Sequence, residues 1–284
     1  MELVNKLLQI NDSLPLTCSR RGTCCHGNQV FLNPWELRRL ATERQLEVRD
    51  FSAQFCDWNG IRLKFDGLKD QRNKKSCNLY IPNVGCSMHE ARPLACRLFP
   101  LGRQVQEGKS TYLFQGNQFP CLDGCSEVNQ LPFLTVENYL EGQKVTEFEQ
   151  AQDAYLELMQ NLADVACMLF FDTGLAQSGD TKTRELWRRM GGEDVALLVD
   201  RIGENWFQML IHPSISFDPI NSSTFVHDHE MLLIEKIQDH INQLTTFPEI
   251  SDFSIEIMAC ALLIGKTIGA DVKALAEMWS ELKA

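Results

Sequence analysis

The stretch Cys18-Ser19-Arg20-Arg21-Gly22-Thr23-Cys24-Cys25-His26-Gly27 sets three cysteines close together near the start of the chain. Gly22 and Gly27 let the backbone turn tightly on either side of the adjacent pair Cys24-Cys25. Thiolate is a soft ligand, so clustered cysteines select zinc, copper(I) or iron–sulfur over hard cations. Neighbouring side chains tend to diverge, and structural zinc sites usually take their cysteines as spaced pairs. The adjacent pair therefore favours a centre with more than one metal atom, or else leaves one of the two thiols for structure or reactivity.

The other cysteines are concentrated in the same part of the chain. Nine of the eleven lie between Cys18 and Cys125. Cys56, Cys167 and Cys260 occupy apolar helical runs, and we interpret them as small buried hydrophobic residues. His26 and His89 flank the cluster and are interpreted as neighbours that donate a hydrogen bond or face solvent. The remaining eight cysteines are the predicted metal ligands: Cys18, Cys24, Cys25, Cys77, Cys86, Cys96, Cys121 and Cys125.

Several features of the sequence predict a reducing compartment. A chain of 284 residues can bury a proper core and does not need disulfides in order to fold. Its first residues lack the basic and apolar regions of a signal peptide. The longest apolar runs, 166–171 and 257–265, fall short of the roughly 18 residues that a membrane span needs. We therefore expect a cytoplasmic protein without a membrane partner, in which dense cysteines indicate a metal or redox site.

The charge differs between the two parts of the chain. Residues 1–127 hold 17 Lys and Arg against 13 Asp and Glu, whereas residues 128–284 hold 10 against 25. The net charge of −11 argues against electrostatic binding of nucleic acid. The acidic part is interpreted first as a solvated helical surface, and second as a surface that could contact a protein partner or substrate.

The first part of the chain has short and irregular elements. Asn33 and Pro34 open a predicted helix through 35–40, with Asn as cap and Pro at the first helical position. A second helix is predicted over 48–56. Short strands are predicted at 61–65, 77–81 and 111–115, between Gly, Asn and Lys residues. Because none of these elements is long, a bound metal would help to hold them together.

From Pro132 onward the apolar residues recur at helical spacing. The predicted helical segments are 145–171, 183–190, 195–211, 223–244 and 253–279, with Gly or Pro between them. The pattern predicts five or six helices packed as a bundle. The predicted fold is α+β and mostly α: a small irregular cysteine-rich metal-binding domain over 1–130, followed by an acidic all-α helical bundle over 131–284.

A second motif extends the first. The segment Arg92-Pro93-Leu94-Ala95-Cys96-Arg97-Leu98-Phe99-Pro100 follows the separated cysteines Cys77 and Cys86. Together with the first stretch, it resembles the YkgJ-like cysteine-cluster family, a zinc- or iron-chelating domain. The family pattern is C-x-x-C-G-x-C-C, two separated cysteines, and R-P-x-x-C-R-x-F-P. The resemblance covers roughly residues 16–127, and this chain departs from it at Arg21, where the family often has a cysteine. We expect Cys121 or Cys125 to complete the ligand set.

The resemblance reaches further, to flagellin lysine N-methylases, which share this cysteine domain. It implies an iron–sulfur cluster, most simply 4Fe-4S, with zinc as the alternative. Arg92 and Arg97 are predicted to bind an anionic cofactor or substrate group, or else to form a salt bridge within the fold. Three functions remain open: a cluster protein for redox chemistry or metal handling, a methyltransferase that uses S-adenosylmethionine, and a zinc-stapled interaction module. No Gly-rich nucleotide loop independently supports the second.

Overall fold

A computed structural model describes residues 6–14, 22, 25–106, 108–114, 132–177, 181–218 and 221–282. These described residues are 57% helical and form ten α-helices and several small sheets. A cysteine-rich N-terminal region is followed by a helical region, which confirms the predicted fold class. None of the described helices has the length and apolar character needed to cross a membrane.

The N-terminal region combines three helices with short antiparallel strands. Strands β1, β8 and β7 form a three-stranded sheet in that order, while β2 pairs with β9, β3 with β4 and β5 with β6. The elements in chain order are β1 (Lys6–Leu8), β2 (Ser13–Leu14), α1 (Pro34–Glu43), α2 (Val48–Phe55), β3 (Cys56–Asp57), β4 (Arg62–Leu63), β5 (Tyr80–Ile81), β6 (Gly85–Cys86), α3 (Leu94–Leu98), β7 (Leu101–Gln106), β8 (Lys109–Phe114) and β9 (Leu134–Thr135).

Helix α1 begins as its sequence predicts. The Asn33 side chain accepts a hydrogen bond from the backbone N–H of Glu36 at 2.9 Å, and the Glu36 carboxylate accepts one from the N–H of Asn33. This reciprocal capping box satisfies two N–H groups that the helix leaves without partners. Pro34 follows at the first helical position. The cap fixes where α1 starts, and it turns Glu36 toward the middle of the N-terminal region.

Seven helices follow β9 in the described part of the chain, rather than the five or six predicted. They are α4 (Val136–Gln143), α5 (Thr146–Asp172), α6 (Lys182–Met190), α7 (Val195–Ile211), α8 (Ser222–Ile241), α9 (Phe247–Thr267) and α10 (Val272–Glu281). Gly269, at φ 71°, separates α9 from α10 within the segment predicted over 253–279. Residues 257–264 of α9 are fully buried, so α9 is the central helix of the bundle.

The two regions pack against each other through shared contacts. The ring of Trp35 on α1 meets the ring of Phe148 on α5 edge-on, with centroids 5.1 Å apart. Arg103 on β7 forms an ion pair with Asp153 on α5 at 2.7 Å. Residues of both regions belong to one continuous apolar core. The boundary near residue 130 lies outside the described residues and stays a prediction.

Candidate metal centre

Four of the predicted ligands line a single cavity. Cys25, Cys77, Cys86 and Cys96 all face a cavity of about 370 Å³. They come from different places in the chain: the loop after Gly22, the loop before β5, strand β6 and helix α3. The other four predicted ligands, Cys18, Cys24, Cys121 and Cys125, lie outside the described residues. Folding therefore brings together thiols that are up to 71 positions apart in sequence.

Backbone hydrogen bonds join the segments that carry Cys25 and Cys77. The N–H of Cys77 donates to the carbonyl of Cys25 at 2.7 Å, and the N–H of Gly27 donates to the carbonyl of Lys75 at 2.9 Å. His26 and Ser76 lie opposite each other as an isolated antiparallel bridge. This short ladder fixes the spacing between the first and second cysteine segments.

Gly22 lets the first segment approach the β5–β6 hairpin. Its φ of 73° lies in the left-handed region, and a Cβ there would lie 2.0 Å from Cε2 of Tyr80. Its carbonyl accepts hydrogen bonds from the N–H of Cys25 and from Nδ1 of His26, each at 2.9 Å. The His26 ring meets the Tyr80 ring edge-on at 5.1 Å. His26 is thus a neighbour that donates a hydrogen bond, as predicted.

The hairpin of β5 and β6 positions Cys86. Tyr80 pairs with Cys86, and Ile81 with Gly85, in antiparallel register. The N–H of Ser87 donates to the carbonyl of Leu79 at 2.9 Å and extends the pairing by one step. Strand β5 begins three residues after Cys77. The hairpin therefore places Cys86 at the same cavity as Cys77.

Cys96 lies on the five-residue helix α3, which has no side-chain cap of its own. Glu36 replaces that cap from a distant part of the chain, because its carboxylate accepts a hydrogen bond from the N–H of Leu94 at 2.7 Å. The Cys96 N–H donates to the carbonyl of Pro93 at 2.9 Å. The beginning of α3, and with it Cys96, is held by a buried carboxylate.

Arg97 clamps the segment that precedes Cys96. Its guanidinium donates to the carbonyls of Arg92 at 2.8 Å and of Gln143 at 2.6 Å, and also to that of Glu90. The guanidinium also stacks over the ring of Phe148 at 4.0 Å. The buried guanidinium of Arg97 is therefore bound by backbone carbonyls, and Arg97 does not line the cavity.

Arg92, by contrast, lines the cavity wall. Its guanidinium donates to the carbonyl of His89 at 2.7 Å and to the His89 ring nitrogen Nδ1 at 2.9 Å, and it also donates to the side chain of Gln143. Of the two predicted cofactor-binding arginines, the geometry therefore leaves only Arg92 facing the cavity. The cofactor-binding role of both residues stays a prediction.

Burial shapes the electrostatics around the cavity. It raises the pKa of the Cys77 thiol to about 12, and the nearby Cys86 adds to that rise. It also raises the pKa of Glu36 to about 7, against the opposing effect of its backbone hydrogen bonds. Burial lowers the pKa of Arg97 to about 10, which leaves it charged at neutral pH. A metal that takes Cys77 as ligand must displace its proton.

The donor types fit a soft metal. Thiolates suit zinc and iron–sulfur groups, and the cavity presents four thiols with an arginine in its wall. Among the described residues, no three Cys, His, Asp or Glu side chains converge closely enough to hold one ion. The four thiols surround a shared space and do not meet at a point.

The cysteines predicted to be structural do not line this cavity. Cys56, Cys167 and Cys260 are each less than a tenth exposed, as expected for small hydrophobic residues. Burial raises the pKa of Cys167 to about 11 and the pKa of Cys56 and of Cys260 further still.

Two residues of the site were not predicted from the sequence. Glu36 is recognisable as the third residue of a capping box, but nothing in the sequence indicates its bond to Leu94. Tyr80 closes on Gly22, and only the folded hairpin brings the two together. Both residues support ligand-bearing segments, and neither belongs to the cysteine pattern.

The fold and the cysteine cavity define a metal-chelating domain joined to a helical region. Residues 17–114 match the family model CxxCxxCC, described as a "Putative zinc- or iron-chelating domain". No curated protein and no solved structure matches the chain significantly. These comparisons support metal binding, and they do not show the link to flagellin methylases.

Proposed function

We propose that the cysteine-rich region holds an iron–sulfur cluster and that the protein uses it for redox chemistry or metal handling in a reducing compartment. The observation that carries this proposal is the single cavity lined by Cys25, Cys77, Cys86 and Cys96. These residues, or a subset completed by Cys18, Cys24, Cys121 or Cys125, would be the ligands. An iron–sulfur cluster bound there would supply one-electron transfer.

The spread of the four thiols favours a cluster over one zinc ion. Structural zinc sites are closed tetrahedra with sulfur about 2.3 Å from the metal, so they leave no space between the ligands. Here the four thiols line a shared cavity, and among the described residues no three possible ligands converge on one ion. Thiols spread around such a space suit a group of several metal and sulfide atoms.

The residues around the thiols suit a negatively charged cluster. Hydrogen bonds, net charge and solvent exposure set the potential of such a group. The Arg92 guanidinium in the wall supplies positive charge, and the apolar side chains of Leu79 and Leu94 line the same cavity. The cavity therefore offers a cluster both a cationic group and apolar surroundings.

Metal and sulfide analysis of protein purified without oxygen tests the proposal. We expect brown protein with broad visible absorption, and with iron and acid-labile sulfide in comparable amounts. Colourless protein with stoichiometric zinc and no sulfide would contradict the cluster and favour the zinc-stapled interaction module instead. Incubation with S-adenosylmethionine then separates an electron-carrying role from methyl transfer to protein lysine, because only the second consumes that compound.

A further inference from the structure

Helix α8 has two apolar faces, and only one of them is covered. Phe225, Leu233 and Ile237 are buried against the bundle. Met231, Ile234 and Ile241 are exposed, although their spacing of three and seven places them together on another face of the same helix. A helix that packs on one side only needs one apolar stripe. The second stripe is therefore available for a further contact.

Helix α5 lies beside α8 and runs in the same direction. Ser222 donates a hydrogen bond to the Glu147 carboxylate at 3.2 Å at the start of α8. Further along both helices, eight residues on in α8 and fourteen on in α5, the side chain of Asn161 donates to Glu230 at 2.7 Å. Because residue numbers rise together along both helices, the later part of α5 flanks the later part of α8.

This arrangement extends the exposed stripe across two more elements. Met168 follows Asn161 by seven residues, so it lies on the α5 face that borders α8. Phe247, at the start of α9, has its ring beside Gly174, just beyond the end of α5. We call the following residues the α8 patch, each between 37% and 54% exposed: Met168, Met231, Ile234, Ile241 and Phe247.

Acidic side chains flank the α8 patch. Glu230 lies on one side of the stripe, and Glu235 and Asp239 lie on the other, while Asp164 precedes Met168 on α5. Within the described residues of α8, Lys236 is the one Lys or Arg. The whole segment 128–284 holds 10 basic against 25 acidic residues. Arg184 lies over the Phe171 ring at 5.2 Å near the α5 end of the patch, so the excess of negative charge lies along the flanks of α8.

We propose that the α8 patch binds a basic amphipathic helix of a partner protein. The stripe from Met231 to Ile241 spans about 15 Å, or nearly three helical turns, which suits a helix laid along α8 beside α5. Methionine side chains adapt to the shape of such a partner. A second copy of this chain would set acidic flanks against acidic flanks, so charge disfavours it and favours a partner rich in Lys or Arg.

A fluorescent synthetic helix tests this proposal on the intact protein. The probe is an amphipathic peptide of about 18 residues made of Leu and Lys, and the control peptide carries Glu in place of Lys. We expect the Lys peptide to bind, with affinity that falls as salt rises, and the Glu peptide not to bind. Ile234→Asp should weaken binding about tenfold or more, because it places a charge in the contact. Leu197→Asp, at an equally exposed position on α7, should change it less than about twofold.

Three results would overturn the proposal. The first is equal binding of the Lys and Glu peptides, or binding of neither. The second is Lys-peptide binding that Ile234→Asp leaves unchanged while the variant remains folded by circular dichroism. The third is a dimer of this chain that Ile234→Asp dissociates, which would make the occupant a second copy. The charge-reversing double variant Glu235→Lys with Asp239→Lys adds an independent check, since it should weaken binding of the Lys peptide without unfolding the protein.

Discussion

The Glu36 carboxylate accepts a hydrogen bond at 2.7 Å from the backbone N–H of Leu94, 58 positions further along the chain. The same carboxylate accepts a hydrogen bond from the N–H of Asn33, so one buried side chain closes the first turns of α1 and α3 together. Cys96 lies two residues beyond Leu94. The position of one predicted metal ligand therefore depends on an acidic residue in another helix.

Glu36→Ala should destabilise the fold and loosen the metal. The substitution leaves the N–H groups of Leu94 and Asn33 without their acceptor, and each such buried group costs about 1–3 kcal/mol. We expect the free energy of unfolding to fall by roughly 2–4 kcal/mol, and metal to pass faster to a chelator. Denaturant unfolding and timed chelation measure the two effects.

The matched control is Glu36→Gln. Glutamine keeps a carbonyl oxygen that can accept from Leu94, and it lacks the charge that burial disfavours. Its amide nitrogen cannot accept from the Asn33 N–H, so it should lose less stability than Glu36→Ala and retain more of the metal. If Glu36→Ala behaved like the unsubstituted protein, or if Glu36→Gln were equally damaging, Glu36 would not act as the acceptor described.

The sequence predicts those parts of the fold that depend on local signals. The Asn33 cap places the start of α1 correctly, and the helical spacing over 195–211 gives the bounds of α7 without error. The pairing of β2 with β9 was not predicted, because it joins two-residue strands from opposite ends of the N-terminal region. Such short strands have no alternation to recognise, and only tertiary contacts define them.

The candidate site likewise combines residues that the sequence predicts with residues that only the fold reveals. Cysteine chemistry is visible in the sequence, so Cys25, Cys77, Cys86 and Cys96 could be named before the cavity was known. The residues that position these cysteines, such as Glu36 and Tyr80, are of common types and carry no sequence pattern that marks them. The contacts of Arg97 with three backbone carbonyls depend on the fold, and an arginine near cysteines suggests an anion site equally well.

Replacing the cavity cysteines with serine should remove the metal. A hydroxyl is a hard and weak donor compared with a thiolate, so Cys77→Ser, Cys86→Ser and Cys96→Ser should each cut metal retention sharply. Cys24→Ser should do the same on the basis of the sequence pattern. Metal and sulfide content of the purified variants gives the answer.

Two serine variants serve as controls. Cys167→Ser and Cys260→Ser change buried thiols in the helical region and should leave the metal content unchanged. Loss of metal from these two, with retention in the cavity variants, would show that the assignment of ligands is wrong.

Gly22→Ala should prevent correct assembly of the first cysteine segment. The new Cβ would lie 2.0 Å from the Tyr80 ring, and φ is 73°. Gly108→Ala is the matched control, because φ there is 72° and no atom lies within 4 Å of the added Cβ. The control should cost about 1 kcal/mol from backbone strain alone. Gly22→Ala should cost more and lower the metal content, and equal effects of the two variants would contradict the close approach to Tyr80.

Arg97→Lys should weaken the clamp on the segment before Cys96. A planar guanidinium reaches several carbonyls at once, whereas a lysine ammonium cannot reproduce that fork. We expect a loss of about 2 kcal/mol or more in the free energy of unfolding, together with faster release of metal. Arg62→Lys, which alters an ion pair with Asp57 whose side chains are 25% and 35% exposed, should cost less than about 1 kcal/mol. Equal losses from both variants would argue against the clamp.

The buried His229 predicts how stability responds to acid. Its Nε2–H donates to the Met209 carbonyl at 2.8 Å, and Nδ1 accepts from the Tyr155 hydroxyl at 3.0 Å, so the neutral ring satisfies both partners. Burial lowers the pKa of His229 to about 4. A histidine with a depressed pKa in the folded state contributes stability above its unfolded pKa, near 6.5, and loses it as the pH falls toward 4.

A change of one in the pKa of His229 corresponds to about 1.4 kcal/mol. The loss in the free energy of unfolding should therefore approach about 3 kcal/mol at the acid end of this pH range. Because carboxylates also titrate there, the informative quantity is a difference between variants. His229→Gln should be less stable at neutral pH, but its free energy of unfolding should fall less steeply between pH 6.5 and 4. His227→Gln, at an exposed position two residues earlier, should keep the original slope. Urea unfolding at successive pH values measures these slopes, and the same slope for His229→Gln and the unsubstituted protein would show that His229 does not carry the acid sensitivity.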